Sequence, residues 1–179
     1  MLDKTLAKFD ELRYLVIDHP RTEFLSIDTA PERLRNTYHH LATLSIAFNI
    51  RNLKELQAVI CLCRSSPRLS MFKILFRVPK NGQHVLLYEG NFWKAKLRKR
   101  EGVFLHLKTI YMDRFSGVQH EIRFIQFILR NAVVLKKFYI RWVKESTITD
   151  NEKQLVVKNV LQLRRASQKV DIIFDDLNK

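Results

Sequence analysis

The sequence predicts an α/β fold built as a solenoid, with a parallel sheet on one side and helices on the other. Two observations carry this prediction. A short apolar signature, Leu-x-x-Leu-x-Ile or a close variant, recurs along the chain. Between signatures lie stretches in which apolar residues return every three or four positions, which is typical of a helix with one buried face. A strand and a helix repeated at a fixed period form the pattern of a solenoid.

The signature begins at five positions, separated by 29, 28, 38 and 28 residues. These positions are Leu12, Leu41, Leu69, Leu107 and Leu135. The period predicts about five leucine-rich-repeat-like units. The third interval is longer than the others and predicts an insertion, within which residues 72–88 read as a hairpin turning at Asn81-Gly82. We expect one continuous solenoid, described as repeat units over residues 1–89 and C-terminal repeats with a cap over residues 90–179.

The elements before the insertion follow from local signals. Short helices are predicted over residues 2–11 and between Pro31 and His40. A longer helix is predicted over residues 53–63, where apolar residues share one face. Asn52 is the expected N-cap and Pro67 the expected stop of this helix.

The clearest unit extends from His106 to Trp142 and reads as strand, turn, helix, turn and strand. Gly117 supplies the turn before its helix. Farther on, residues 144–151 read as a polar loop and residues 155–163 as a last helix. Residues 170–174 read as a final strand that shields the open sheet edge.

Composition limits the class of protein. With 179 residues and 46% hydrophobic residues, the chain is long enough to fold around a core. The N-terminus carries charges throughout, which excludes a secretion signal, and no apolar run is long enough for a membrane span. Cys61 and Cys63 are two residues apart in a predicted helix, which disfavours a disulfide between them. We therefore expect an intracellular protein of the nucleus or cytoplasm.

Catalytic and metal-binding patterns are lacking in the sequence. The six histidines show no ligand spacing with cysteine or carboxylate residues, and the four glycines form no phosphate-binding loop. The sequence predicts no metal, no cofactor and no enzymatic activity.

The outward residues of the predicted strands form the first candidate binding surface. Strand residues alternate between faces, so those between the apolar positions point away from the helices. Tyrosine and arginine are frequent anchors of protein interfaces, and an ordinary hydrated sheet face is the alternative. The candidate binding residues are Thr109, Tyr111, Asp113, Lys137, Tyr139 and Arg141. Similar outward positions in earlier strands are Tyr14, Val16, Asp18, Thr43, Ser45, Met71 and Lys73.

A basic patch beside Trp93 is the second candidate surface. Five of the seven residues from Lys94 to Arg100 are basic in a chain whose net charge is +14. The basic residues are Lys94, Lys96, Arg98, Lys99 and Arg100. They indicate either a solvated loop or a site for an anion such as nucleic acid. Trp93 is expected to fold onto the core, with stacking on a base or a partner as the alternative.

Residues 90–175 resemble the FBD region that ends many plant F-box proteins. The resemblance is carried by a strand, the Phe115-Ser116-Gly117 turn, an apolar helix, Asn131-Ala132-x-x-Leu135-Lys136-Lys137 and a second strand. The tail from Arg164 to Phe174 is similar to that family's flank. In that family leucine-rich repeats precede the FBD region, and the assembly is thought to present substrates to a ubiquitin ligase.

The resemblance implies a non-catalytic protein-interaction module that corresponds to the substrate-recognition part of an F-box protein. Its partner would be a ubiquitination substrate or a target that it shelters by competition. No F-box-like helical segment precedes Leu12 in the sequence, so we expect no binding to a Skp1-type adaptor. The alternative is a basic nucleic-acid-binding module that uses Lys94–Arg100.

Overall fold

Six parallel strands form one sheet whose spatial order follows the order of the chain. The computed structural model describes residues 11–18, 34, 36–77, 91–98, 102–144 and 148–175. The strands are β1 Tyr14–Ile17, β2 Thr43–Phe48, β3 Met71–Phe76, β4 Thr109–Phe115, β5 Lys137–Trp142 and β6 Asp171–Asp175. The helices are α1 Leu53–Arg64, α2 Asn91–Arg98, α3 Gln119–Asn131 and α4 Asp150–Leu161. The prediction of an α/β fold with a parallel sheet is confirmed, whereas the solenoid and the boundary near residue 89 stay predictions.

The apolar signature sets the strand register. Each strand pairs with the next so that equivalent signature residues lie side by side. The middle signature positions form one row, which consists of Leu15, Leu44, Phe72, Ile110, Phe138 and Ile172. The insertion before β4 leaves this row unbroken. The register shifts only between Met112 and Phe115, where Arg114 adopts a positive φ of 60°.

The core lies between the sheet and its helices. Phe48, Phe72 and Phe138 are fully buried on the inward face of the sheet, as are Phe124 and Phe127 on α3. The Phe48 and Phe124 rings meet edge to face with centroids 5.9 Å apart, which ties α3 to β2. Burying each such ring stabilises the fold by about 1.5–3 kcal/mol. The predicted core residues Leu44, Leu107, Ile110, Leu135 and Ile140 are all buried in one cluster.

Two helices begin with a buried glutamate in their first turn. Asn52 caps α1 as predicted, because its side chain accepts from the backbone N–H groups of Lys54 and Glu55. The Glu55 carboxylate accepts from the backbone N–H of Asn49 at 2.9 Å and from Arg77 Nη2 at 2.7 Å. Glu55 therefore holds the turn after β2 against the start of α1.

Glu121 occupies the same position in α3. Its carboxylate accepts from the backbone N–H groups of Ser116 and Gly117 and from the Ser116 hydroxyl, at 2.9–3.0 Å. Burial raises the pKa of Glu121 to about 7, against these hydrogen bonds, which lower it. Gly117 has a φ of +79°, the left-handed conformation that glycine adopts without strain. The hydrogen bonds of Glu121 thus join the turn after β4 to the first turn of α3.

Several predicted boundaries are corrected. The final strand predicted at residues 170–174 is confirmed, with bounds Asp171–Asp175, and it pairs in register with β5 as a sixth strand of the sheet. The last helix begins at Asp150 rather than near Leu155, because Thr149 and Glu152 form a reciprocal capping box. No helix forms in residues 36–40, which are bends and turns. Cys61 and Cys63 are both buried and are not joined by a disulfide bond. The predicted helix over residues 2–11 and the hairpin turn at Asn81-Gly82 lie outside the described residues.

Candidate functional site: the open face of the sheet

The outward face of the sheet carries the predicted candidate residues in three rows. Because the strands are parallel and in register, outward residues at equal positions are neighbours across the sheet. One row consists of Tyr14, Thr43, Met71, Thr109, Lys137 and Asp171. The middle row consists of Val16, Ser45, Lys73, Tyr111, Tyr139 and Ile173. The third row consists of Ala47, Leu75, Asp113, Arg141 and Asp175. The structure therefore brings all six candidate residues onto one face, while their role in binding stays a prediction.

Two tyrosines form the centre of this face. The rings of Tyr111 and Tyr139 stack with centroids 4.9 Å apart and planes only 7° from parallel. Lys73 Nζ lies 6.0 Å from the centroid of the Tyr111 ring, at the limit of a cation–π contact. On the other side, Ile173 is 37% exposed beside Tyr139. The middle row is thus an amphipathic strip whose two rings are already ordered.

A charged group borders the tyrosine stack. Arg141 lies between two carboxylates, with Nη1 3.0 Å from Asp113 and Nε 3.6 Å from Asp175. All three side chains are well exposed, so the pairs add little stability but orient the guanidinium group. An arginine held in place at the edge of an aromatic strip is a common anchor of protein interfaces.

The last strand adds residues that sequence reasoning missed. Asp171, Ile173 and Asp175 extend the three rows onto β6. The β-branched and aromatic residues from Val170 to Phe174, which are typical of a strand, carried this signal. These residues were not named as candidates because the final strand predicted there was interpreted as a cap for the open sheet edge.

The basic patch belongs to a helix, not to a loop. Lys94, Lys96 and Arg98 lie on α2, whereas Lys99 and Arg100 lie outside the described residues. Lys94 and Arg98 are exposed, and Lys96 Nζ lies 5.8 Å from the centroid of the Phe92 ring. The helix explains why the cluster is amphipathic: one side is basic and the other packs on the core.

Trp93 is the residue by which α2 packs on the core. It is only 4% exposed, and the centroid of its ring lies 6.3 Å from the ring centroids of Phe124 and Phe127. The expectation that Trp93 folds onto the core is confirmed. In this position the indole cannot stack on a base, so the basic patch lacks the aromatic platform considered for it.

Metal ligands, membrane-spanning helices and reactive thiols are the remaining candidates for site chemistry in the described part of the chain. No group of three or more His, Cys, Asp or Glu side chains there is arranged to hold a metal ion. Among the helices described, none has the length and apolar character needed to cross a bilayer. Burial raises the pKa of the Cys63 thiol, and the neighbouring Cys61 raises it further. A thiol in this state is a poor nucleophile.

The protein is therefore an α/β protein with an in-register parallel sheet, and the open face of this sheet presents aromatic and charged side chains. Residues 101–140 match the FBD family. The matched range contains β4, α3 and most of β5, including the stacked pair of Tyr111 and Tyr139.

The chain is also similar to an F-box/FBD/LRR-repeat protein of Arabidopsis thaliana. The two are 25% identical over 159 residues, which is 86% of this chain and 36% of the relative. The chain thus spans about a third of that protein's length. No solved structure matches the chain. The resemblance to the FBD-containing F-box and leucine-rich-repeat proteins, seen in the sequence, is confirmed by these two matches.

Proposed function

We propose that this chain is a non-catalytic protein-recognition module that binds a partner protein on the open face of its sheet. The observation that carries this proposal is the stack of Tyr111 on Tyr139. Two rings that already fix one another lose little conformational freedom when a partner covers them. Tyrosine and arginine are the residue types that most often dominate binding energy in protein interfaces.

The charge of the face favours a protein partner over a polyanion. The outward positions of β2 to β6 carry three basic residues and three acidic residues, although the chain as a whole has a net charge of +14. The basic residues are Lys73, Lys137 and Arg141, and the acidic residues are Asp113, Asp171 and Asp175. Phosphate groups would be repelled by the carboxylates, whereas a mixed protein surface can complement both signs.

The face is large enough for a specific interface. Six strands about 4.8 Å apart, each rising about 3.3 Å per residue over some six residues, span roughly 24 by 20 Å. Because side chains protrude from the sheet, the accessible area of such a face exceeds its flat area and approaches the ~800 Å² per partner of a standard interface. A partner that covers the three rows would therefore bind without help from the helices.

We propose a finer role from the resemblance. The named relative combines an F-box, an FBD region and leucine-rich repeats. By analogy, the face would recognise a substrate of an F-box-type ubiquitin ligase, or shelter such a target by competition. An intracellular location, in the nucleus or the cytoplasm, accompanies this proposal. The alternative remains a nucleic-acid-binding module using Lys94, Lys96 and Arg98 on α2.

Tyr139→Ala tests the proposed face directly. Partner proteins captured from native tissue by the tagged wild-type chain should be lost with this variant, and a purified partner should bind about tenfold more weakly or worse. The matched control is Leu155→Ala, because Leu155 is 67% exposed on α4, away from the face. Both variants should keep the wild-type melting temperature to within a few degrees.

Three results would contradict the proposal. Equal loss of partners with Tyr139→Ala and Leu155→Ala would show that the face is not the binding surface. A melting temperature lowered in parallel with binding would make Tyr139 a structural residue. Binding that falls steeply with salt and persists after Tyr139→Ala would instead support nucleic-acid binding on α2, because counterion release dominates phosphate contacts.

A further inference from the structure

The edge of the sheet where the strands begin has a composition unlike that of the open face. The segments preceding β2 to β6 meet at this edge, because parallel strands all start on the same side. We define the basic edge as residues 66–70, 102–108 and 132–136, which directly precede β3, β4 and β5. None of these residues is acidic. The basic side chains are Arg68, His106, Lys108 and Lys136, and all four are exposed.

Backbone hydrogen bonds place these four side chains in two rows. The Lys108 N–H donates to the Ser70 carbonyl at 2.8 Å, and the Lys136 N–H donates to the Lys108 carbonyl at 2.9 Å. Lys108 and Lys136 therefore directly precede adjacent strands at equivalent positions, with backbones about 4.8 Å apart. Arg68 and His106 occupy a second row. They lie two residues before Ser70 and Lys108, ahead of β3 and β4.

The arginine and lysine charges at this edge have no carboxylate partner in the described part of the chain. Within the described residues, neither Arg68 nor Lys108 nor Lys136 forms an ion pair. Like charges at neighbouring strand positions repel one another. An anion placed over this edge would relieve that repulsion and gain attraction to several cations at once.

Exposed aliphatic side chains lie among the cations. Leu105 is 47% exposed, Val133 36% and Val134 41%. The loop that carries Leu105 is held rigidly, because its neighbour Phe104 is buried and stacks on Phe72 with centroids 6.0 Å apart. Aliphatic side chains fixed in solvent beside lysines form an amphipathic surface that a purely ionic ligand would leave partly uncovered.

We propose that the basic edge is a second binding surface, which takes an acidic protein segment containing apolar residues. Carboxylates of that segment would pair with Arg68, Lys108 and Lys136, and its apolar side chains would cover Leu105, Val133 and Val134. A single-stranded nucleic acid fits less well, because the basic edge offers no exposed aromatic ring on which bases could stack. This surface is separate from the open face and does not depend on the function proposed for it.

The test uses fluorescence anisotropy with the full chain and three labelled probes. They are a short Asp- and Glu-rich peptide containing leucine and phenylalanine, the same peptide with serine at its apolar positions, and a single-stranded oligonucleotide of similar charge. The edge variant combines Arg68→Gln, Lys108→Gln and Lys136→Gln. The control variant combines Lys54→Gln, Arg123→Gln and Lys158→Gln, which lowers the net charge of +14 equally but at exposed helix positions.

We expect the edge variant to bind the apolar acidic peptide about tenfold more weakly, as the loss of three exposed ionic contacts predicts, and the control variant less than about twofold. Val134→Ser should weaken the apolar peptide but not the serine peptide. Equal losses in both triple variants would overturn the proposal, because net charge alone would then explain binding. Tighter binding of the oligonucleotide than of the apolar peptide would overturn it, as would no measurable binding of either peptide.

Discussion

Replacing Glu121 with glutamine should change how the stability of this protein depends on pH. The pKa of Glu121 is about 7 in the folded chain, above its ordinary value of 4.5, because burial outweighs its hydrogen bonds. A carboxyl group with a raised folded-state pKa favours the folded state most below its unfolded pKa. That contribution is lost as the pH rises through about 7.

The magnitude follows from the two pKa values. A shift of one pKa unit corresponds to about 1.4 kcal/mol, so the interval from 4.5 to about 7 corresponds to roughly 3 kcal/mol at most. As the pH rises from about 5 to about 8, ionisation of Glu121 should lower the free energy of unfolding by about 2–3 kcal/mol. Glutamine is uncharged and accepts through one oxygen, so the variant should lack this pH-dependent contribution to the free energy of unfolding.

Urea unfolding of wild type and Glu121→Gln at several pH values measures the difference. Glu152→Gln is the matched control, because Glu152 occupies the same position in the first turn of α4 but is exposed. Hydrogen bonds to Thr149 lower the pKa of Glu152, so its contribution should be lost as the pH falls, the opposite sign. If the difference between wild type and Glu121→Gln stays constant from about pH 5 to pH 8, Glu121 is ionised throughout and the reasoning is refuted.

Two further substitutions test the packing. Leu107→Ala should lower the free energy of unfolding by about 2–5 kcal/mol, because Leu107 is fully buried, and a loss below about 1 kcal/mol in a urea melt would contradict the register. Gly117→Ala should cost about 1–2 kcal/mol, because it places a side chain at a φ of +79° and 3.4 Å from atoms of Trp142 and Val156. An unchanged melting temperature would show that the turn adopts another conformation.

The sheet could be predicted from sequence because its determinants are local and periodic. The spacing between Leu41, Leu69, Leu107 and Leu135 sets which strand residues become neighbours, so the pairing of Tyr111 with Tyr139 followed from counting. The inward and outward positions followed from alternation within each strand. Neither step needs knowledge of what the helices contact.

The parts that were missed depend on contacts between distant residues. The segment at Trp93 forms α2, although its many basic residues suggested a loop, because Trp93 packs between Phe124 and Phe127 on α3. The burial of Glu121 could not be read from the chain, since a lone glutamate in a helix is usually exposed. Its partners Ser116 and Gly117 become partners only when the turn after β4 closes over the helix start.

The strand order of the sheet also determines how the molecule can come apart. Paired strand residues are separated by only 27 to 38 positions along the chain, and each strand pairs just with the strands before and after it. No pairing joins the two ends of the sheet. Loss of β1 or β6 therefore breaks a single strand pairing and leaves the other pairings intact. Loss of an interior strand breaks two pairings, so unfolding should begin at β1 and β6 and reach the central strands β3 and β4 last.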